Sequence, residues 1–259
     1  VSNVLADILS NSQQLLALAF AVFLRVGAAM AMVPGFGERM IPRSVRLGIA
    51  LAFSAAILPA VAQSAGLADV NPLAPGFLAA EVMAGLAFGL ILRIMVMVLQ
   101  MAGSIAAQST SLAQILGGAA TDPQPAIAHL LLLGGLALAM MSGLHLRITE
   151  ALILSYDAIP AGTGVGAAIL SEWTVAHVAR GFALAVTLAI PFVIAAFLYN
   201  LALGVINRAM PQLMVAFVGA PALTAGGLIL LALAAPLMLQ LWSVRLDALL
   251  RDPFGGAMP

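Results

Sequence analysis

Charged side chains lie inside otherwise apolar runs: Arg25, Glu81 and Arg93 well within them, and Arg180 near the start of another. A guanidinium and a carboxylate in such surroundings have two uses. They can neutralise one another as a structural pair, or they can bind a solute or carry a proton across the apolar region. The sequence alone leaves both open for Arg25 and Glu81. A charge at the centre of a membrane helix costs ~2.5–3.5 kcal/mol on insertion scales, so the three central ones are expected to be buried against protein or to face water rather than lipid. Other chemistry is sparse. The histidines, His129, His145 and His177, are far apart, show no metal-ligand spacing and have no cysteine to join them, so neither a metal nor a cofactor is expected. No zinc-protease, phosphate-loop or paired-carboxylate motif is present. Ser142-Gly143 with a later His177 offers a nucleophile and a base, but no oxyanion-hole signature accompanies them. The chain does not read as an enzyme.

These residues must be positioned by helices. Hydrophobic residues make up 63% of the 259 and charged residues 8%, against about a quarter charged in a soluble domain. So few charges cannot cover a globule in water, and an all-α integral membrane protein is the expected fold. All ten basic residues are arginines and the formal net charge is zero. No basic stripe exists, and nucleic-acid binding is excluded. The N-terminal residues carry no basic segment ahead of an apolar one, so a cleaved signal peptide is not expected.

Six apolar stretches follow one another: Leu15–Met32, Leu47–Val61, Phe77–Met101, Ile127–Leu146, Val175–Leu203 and Leu213–Trp242. A straight span needs about 20 residues. The second is short, and the last two are long and interrupted by Pro191 and Pro236. Six ordinary spans and helical hairpins that cross only partly are both consistent with this pattern. Arginines in the first loop, the fifth loop and the C-terminal tail oppose one another across six spans, so orientation stays open. Gly85 and Gly89, and Gly134, Gly135 and Ala139, are spaced for close helix packing.

Between the third and fourth stretches, residues 103–125 are uncharged until Asp122 and hinged at Gly117-Gly118. An exposed loop of that length should carry more charge. Either residues 105–116 continue the third helix, or the segment is re-entrant and lines a cavity. Leu112, Ile115 and Leu116 have the apolar character of a constriction that excludes water. A single membrane domain over 1–259 is expected, with N-terminal helices to about 101, a plug-like loop over 102–126, C-terminal helices over 127–242 and a short tail over 243–259.

The C-terminal third carries a resemblance. Asn200-Leu-Ala-Leu-Gly204, then Asn207-Arg208, Pro211-Gln212 and the Gly219-Ala-Pro221 step are similar to the FliR family of flagellar export proteins. Weaker family features precede them in order: Arg25-Val, Pro34, Ile41-Pro42, Arg46-Leu-Gly, Leu58-Pro59, Gln108, Asp122-Pro123, Gly143-Leu-His145, and Ile159-Pro160 with Gly162. The match runs from about Arg25 to Gly227. It departs from the family at Ala102-Gly103, where a glycine–glutamate pair is common, in a slightly longer loop, and at Ala222, which replaces a leucine. The resemblance implies FliP-like and FliQ-like helical hairpins fused in one chain. It implies partnership with FliP and FliQ homologues in an export gate beside FlhB and FlhA, in the bacterial inner membrane at the flagellar basal body. Unfolded flagellar proteins would be the cargo, and the loop from Gln108 to Asp122 would help plug the channel. Asn207, Arg208 and Gln212 read equally as a capped helix end or as a bridge to a neighbouring subunit. Two alternatives remain beside this one. The charges within the helices suit a small-solute permease, although no internal repeat is visible. Ser142 and His177 faintly resemble the dyad of rhomboid proteases, with Met140 at that family's motif glycine.

Overall fold

The computed structural model describes residues 2–33, 41–64, 74–110, 126–210 and 215–255, with side chains over 12–33, 41–63, 74–109, 126–210 and 222–255. The described residues form seven helices: α1 (Ser2–Met32), α2 (Arg43–Ser64), α3 (Pro75–Thr110), α4 (Ala126–Met141), α5 (Leu144–Ala158), α6 (Ala167–Ala209) and α7 (Val215–Arg251). Five are long and apolar enough to cross a membrane, or six if the bent pair α4–α5 counts as one span. The all-α expectation holds, with two corrections to the helix boundaries.

The fourth apolar stretch is not one helix. It breaks at Ser142-Gly143, where the path turns by 75°. Gly143 adopts φ 79°, a left-handed conformation that costs a glycine nothing, and its carbonyl then accepts the Leu146 N–H to start α5. Beyond the break, α5 buries Leu144, Ile148, Ala151, Leu152, Ser155 and Tyr156. That spacing draws one apolar stripe along a helix whose other faces carry Arg147, Glu150 and Asp157. Charges at these positions hide the helix from a search for continuous apolar runs.

The third helix extends nine residues past Met101 and ends at Thr110, so residues 102–110 of the segment set apart as a loop are helical. Pro75 opens this helix at its first position, where an N–H would have no partner within the helix. Prolines inside α2 (Pro59) and α6 (Pro191) are absorbed without a break.

Two compact units divide the chain. The first comprises Val1–Ile94, Gly143–His177 and Leu246–Pro259; the second comprises Met95–Ser142 and Val178–Arg245. In the first, Val26, Ala29, Ile57, Phe88, Ile148 and Leu152 form the core, and Trp173 stacks on Phe254 with centroids 5.5 Å apart. An ion pair between Arg147 and Asp247 ties α5 to the last turns of α7. In the second, the Trp242 indole N–H donates to the Met95 carbonyl at 2.8 Å and so pins α7 to α3.

The glycine pairs are points of helix contact. A Cβ on Gly89 would lie 2.5 Å from the Ala29 carbonyl oxygen and 2.7 Å from the Met32 Cβ, and one on Gly85 would collide with the Arg25 carbonyl. In the second unit, Gly103 meets the α4 backbone, where a Cβ would lie 2.7 Å from Ala128 N. Small faces admit this approach where lipid provides no hydrophobic drive between helices. Gly85→Ala must therefore push α1 from α3, and is expected to cost about 1–3 kcal/mol. Gly48→Ala, where nothing lies within 4 Å, should be neutral or slightly stabilising. Unfolding of the purified protein in mild detergent compares the two, and equal stability would refute close α1–α3 packing.

Candidate functional site: a saturated ion pair inside the helices

The apolar runs place Arg25 on α1 and Glu81 on α3, and both are buried, at 1% and 0% exposure. The guanidinium meets the carboxylate as a two-pronged fork. Nε donates to Oε2 at 2.8 Å and Nη2 to Oε1 at 3.0 Å. Planar, parallel donors of this kind are what distinguishes arginine from lysine at such a site.

The remaining donors reach the C-terminal end of α5. Nη1 donates to the Ser155 carbonyl and to Ser155 Oγ, both at 3.3 Å, and Nη2 donates to the Ile159 carbonyl at 3.1 Å. These two backbone carbonyls lie at the end of the helix, where positive charge is favoured; the Ser155 carbonyl also accepts the Ile159 N–H at 2.9 Å. Tyr156 closes the arrangement twice. Its ring lies under the guanidinium at 3.7 Å from CZ to centroid, and its hydroxyl donates to Glu81 Oε2 at 3.3 Å.

Glu81 Oε1 also accepts the Gly162 backbone N–H at 2.9 Å. Gly162 has φ 72°, and a Cβ there would run into the Phe77 ring, so glycine is required on both counts. Thr163 Oγ1 and N both donate to the Pro160 carbonyl, at 2.6 and 3.0 Å, and hold the turn in shape. The Ile159-Pro160…Gly162 motif is thus the turn that receives the buried pair. The network uses every N–H of Arg25 and engages both oxygens of Glu81 twice.

Chemically, this arrangement can hold α1, α3, α5 and the turn together. It has no donor left over for a solute, so the pairing reading of Arg25 and Glu81 is the one the geometry supports. Tyr156 and Ser155 were not singled out in the sequence. A lone tyrosine or serine in a helix carries no pattern, and only a complement search around Arg25 would have suggested them.

Arg93 is a correction. It is exposed, not buried with the other two. Twelve residues beyond Glu81 on the same helix, it is rotated by about 120° from that side chain at ~100° per residue. It falls on the outward stripe that also holds Met83, Leu86 and Met97.

The remaining sequence candidates are dispersed. Ser142 is exposed and its Oγ donates to the Leu138 carbonyl at 2.8 Å. His177 Nδ1 lies 2.9 Å from the Trp173 carbonyl. Each is thus engaged by its own helix. Gln108 is exposed near the end of α3, whereas Leu112, Ile115, Leu116, Gly117, Gly118 and Asp122 lie outside the described residues, as do Pro211 and Gln212. Asn200 Nδ2 donates to the Ala196 carbonyl at 2.7 Å. Gly204, Asn207 and Arg208 are exposed in the last turns of α6. Gly219 and Pro221 fall in the first turns of α7.

Helices of membrane length organised about an internally neutralised ion pair define a polytopic helical membrane protein. The sequence pattern of bacterial export proteins, family 1, matches residues 16–249. The chain is 33% identical over 232 residues to the flagellar biosynthetic protein FliR of Caulobacter vibrioides, covering 88% of this chain and 92% of that one. Its similarity to the FliR protein of Aquifex aeolicus is 29% over 88% and 89% of the two chains, and to that of Escherichia coli 27% over 85% and 84%. The chain belongs to the FliR family of bacterial export proteins.

Removing one member of the pair leaves a buried charge uncompensated, at a cost of about 3–5 kcal/mol, whereas replacing both by apolar residues is often tolerated. Arg25→Met and Glu81→Leu should each destabilise the purified protein strongly. The double variant should recover a large part of the summed loss. Strict additivity in this double-mutant cycle would show that the two charges are not coupled.

Proposed function

We propose that this protein is a subunit of the flagellar protein export gate and that it forms, with FliP and FliQ homologues, the channel for unfolded flagellar proteins. FlhB and FlhA homologues would flank it, in the inner membrane at the flagellar basal body. On this reading it is a conduit component and not a catalyst. The observation that carries the reading is where the family's most specific segment lies. Among the described residues, Gly204 to Met210 at the end of α6 are all exposed, although Val205, Ile206 and Met210 there are large and apolar. A helix end with large apolar side chains exposed among the described residues is suited to packing against another molecule.

The same contrast holds for whole helices. The membrane-length window of α3 is 56% buried within the chain, against 33% for α6 and 22% each for α2 and α7. Phe182, Ile190, Phe197 and Leu201 point outward along α6, and Leu233 and Leu237 along α7. Such surfaces need lipid or partner helices. On the export-gate reading, partner subunits cover much of them, and Arg208 bridges to a neighbour from the end of α6. The segment Gln108–Asp122, with Leu112, Ile115 and Leu116 as its apolar centre, supplies the plug.

Deleting the gene should abolish filament assembly and secretion of flagellar proteins, and a motile deletion strain would refute the reading. Arg208→Glu should reduce recovery of partner subunits on affinity purification severalfold while leaving the protein's own level unchanged. Shortening residues 112–121 should make the membrane leaky to ions and small solutes. Unchanged conductance would remove the plug role and leave the subunit role standing.

A further inference from the structure

The described part of the first unit ends on four residues beyond the last helix. Helix α7 stops at Arg251, and residues 252–255 form a turn in which the Gly255 N–H donates to the Asp252 carbonyl at 3.3 Å. Arg251 and Asp252 are exposed, whereas Pro253 and Phe254 are buried. Phe254 stacks on the indole of Trp173, in the second turn of α6, with the rings 24° from parallel. Among the described residues, no hydrogen bond or ion pair ties 252–255 to another element. Glu172, beside Trp173, is exposed as well, so three charged side chains flank the contact and its setting is aqueous.

That ring contact has a cost. Trp173 is 2% exposed, and its Nε1–H is the one buried side-chain polar group among the described residues that has no hydrogen-bond partner. The indole N–H can only donate, and a buried tryptophan ordinarily finds it an acceptor. Trp242 does so, at the Met95 carbonyl. A donor left unmet under cover weakens the covered state by roughly 5- to 150-fold against one that water can reach. The entropy lost in ordering a chain end opposes docking too. Burial of Phe254 and Pro253 must outweigh both, and it does so by a small margin.

We infer that residues 252–255 are a latch over Trp173 that opens and closes on the folded protein. The open form is a standing minority, on the order of 1–10%. The hinge is the end of α7 at Arg251. Upstream of it the helix stays seated, because Leu246 and Leu250 are buried and Asp247 is paired with Arg147. When Phe254 lifts, water reaches the indole N–H, and the first unit presents an open tryptophan face with a spare donor near the start of α6. When Phe254 returns, that face is sealed.

Hydrogen exchange of the indole N–H groups, followed by NMR on the full-length protein in detergent micelles, tests this. The two tryptophans give two indole signals, assigned by the one that Trp173→Phe removes. The Trp173 N–H should exchange at least about tenfold faster than that of Trp242, whose release needs a larger opening. Phe254→Ala should speed exchange at Trp173 by a further factor of about ten, the gain open to a minor state, and leave Trp242 unchanged. Equal protection of the two N–H groups in the wild type would overturn the inference, since it would mean that Trp173 meets an acceptor after all. Unchanged exchange at Trp173 in Phe254→Ala would overturn it as well. So would a parallel rise at both tryptophans, which would report a loosened fold and not a latch.

Discussion

A guanidinium and a carboxylate can be stripped of water inside apolar helices only if every donor and acceptor they lose is replaced. Much of the first unit follows from meeting that demand for Arg25 and Glu81. Two helices supply the charges. A third ends close by, and its C-terminal carbonyls at Ser155 and Ile159 accept the remaining guanidinium protons. The chain must then turn tightly enough to return an N–H to the carboxylate, which is why Gly162 sits in a left-handed conformation against Phe77. Close approach of α1 and α3 at Gly85 and Gly89 brings the pair within reach of one another. The polar chemistry and the small-residue packing are two aspects of a single contact.

Among the described residues the buried polar side chains are few, Arg25, Ser54, Glu81 and Ser155, while many large apolar side chains face outward. This reverses the arrangement of a soluble domain. Helix α3 is the most enclosed of the spans, and α2 and α7 are the least. The exposed end of α6 carries the family's most specific residues. The internal pair fixes α1, α3 and α5 to one another within the first unit.

The class of fold was legible from composition and from run length, since so few charges leave no other solvent than lipid or helix. The pairing of Arg25 with Glu81 was legible as one of two options, because buried ions seek opposites. What a run of apolar residues does not reveal is direction. Arg93 sits in the same run as Glu81 and looks equally buried, yet the rotation between them turns it outward. Nor does a run reveal α5, whose Arg147, Glu150 and Asp157 interrupt the pattern while its inward stripe stays apolar. The break at Ser142-Gly143 was hidden for the opposite reason: the apolar run continues across it, and only a backbone angle marks it. Tyr156 was illegible because its role depends on a neighbour 75 positions away.

The network also imposes an order on synthesis. Arg25 and Glu81 are 56 residues apart, and Arg25 and Ile159 are 134 apart. As the chain leaves the ribosome, Arg25 reaches the membrane with no carboxylate yet available and no helix end to accept its other protons. A span with an unmatched central arginine is held in the bilayer only weakly. The charge on the first helix is matched only once the third has been made. The turn at Gly162 is the last part to be made, and its N–H is the one that completes the coordination of Glu81.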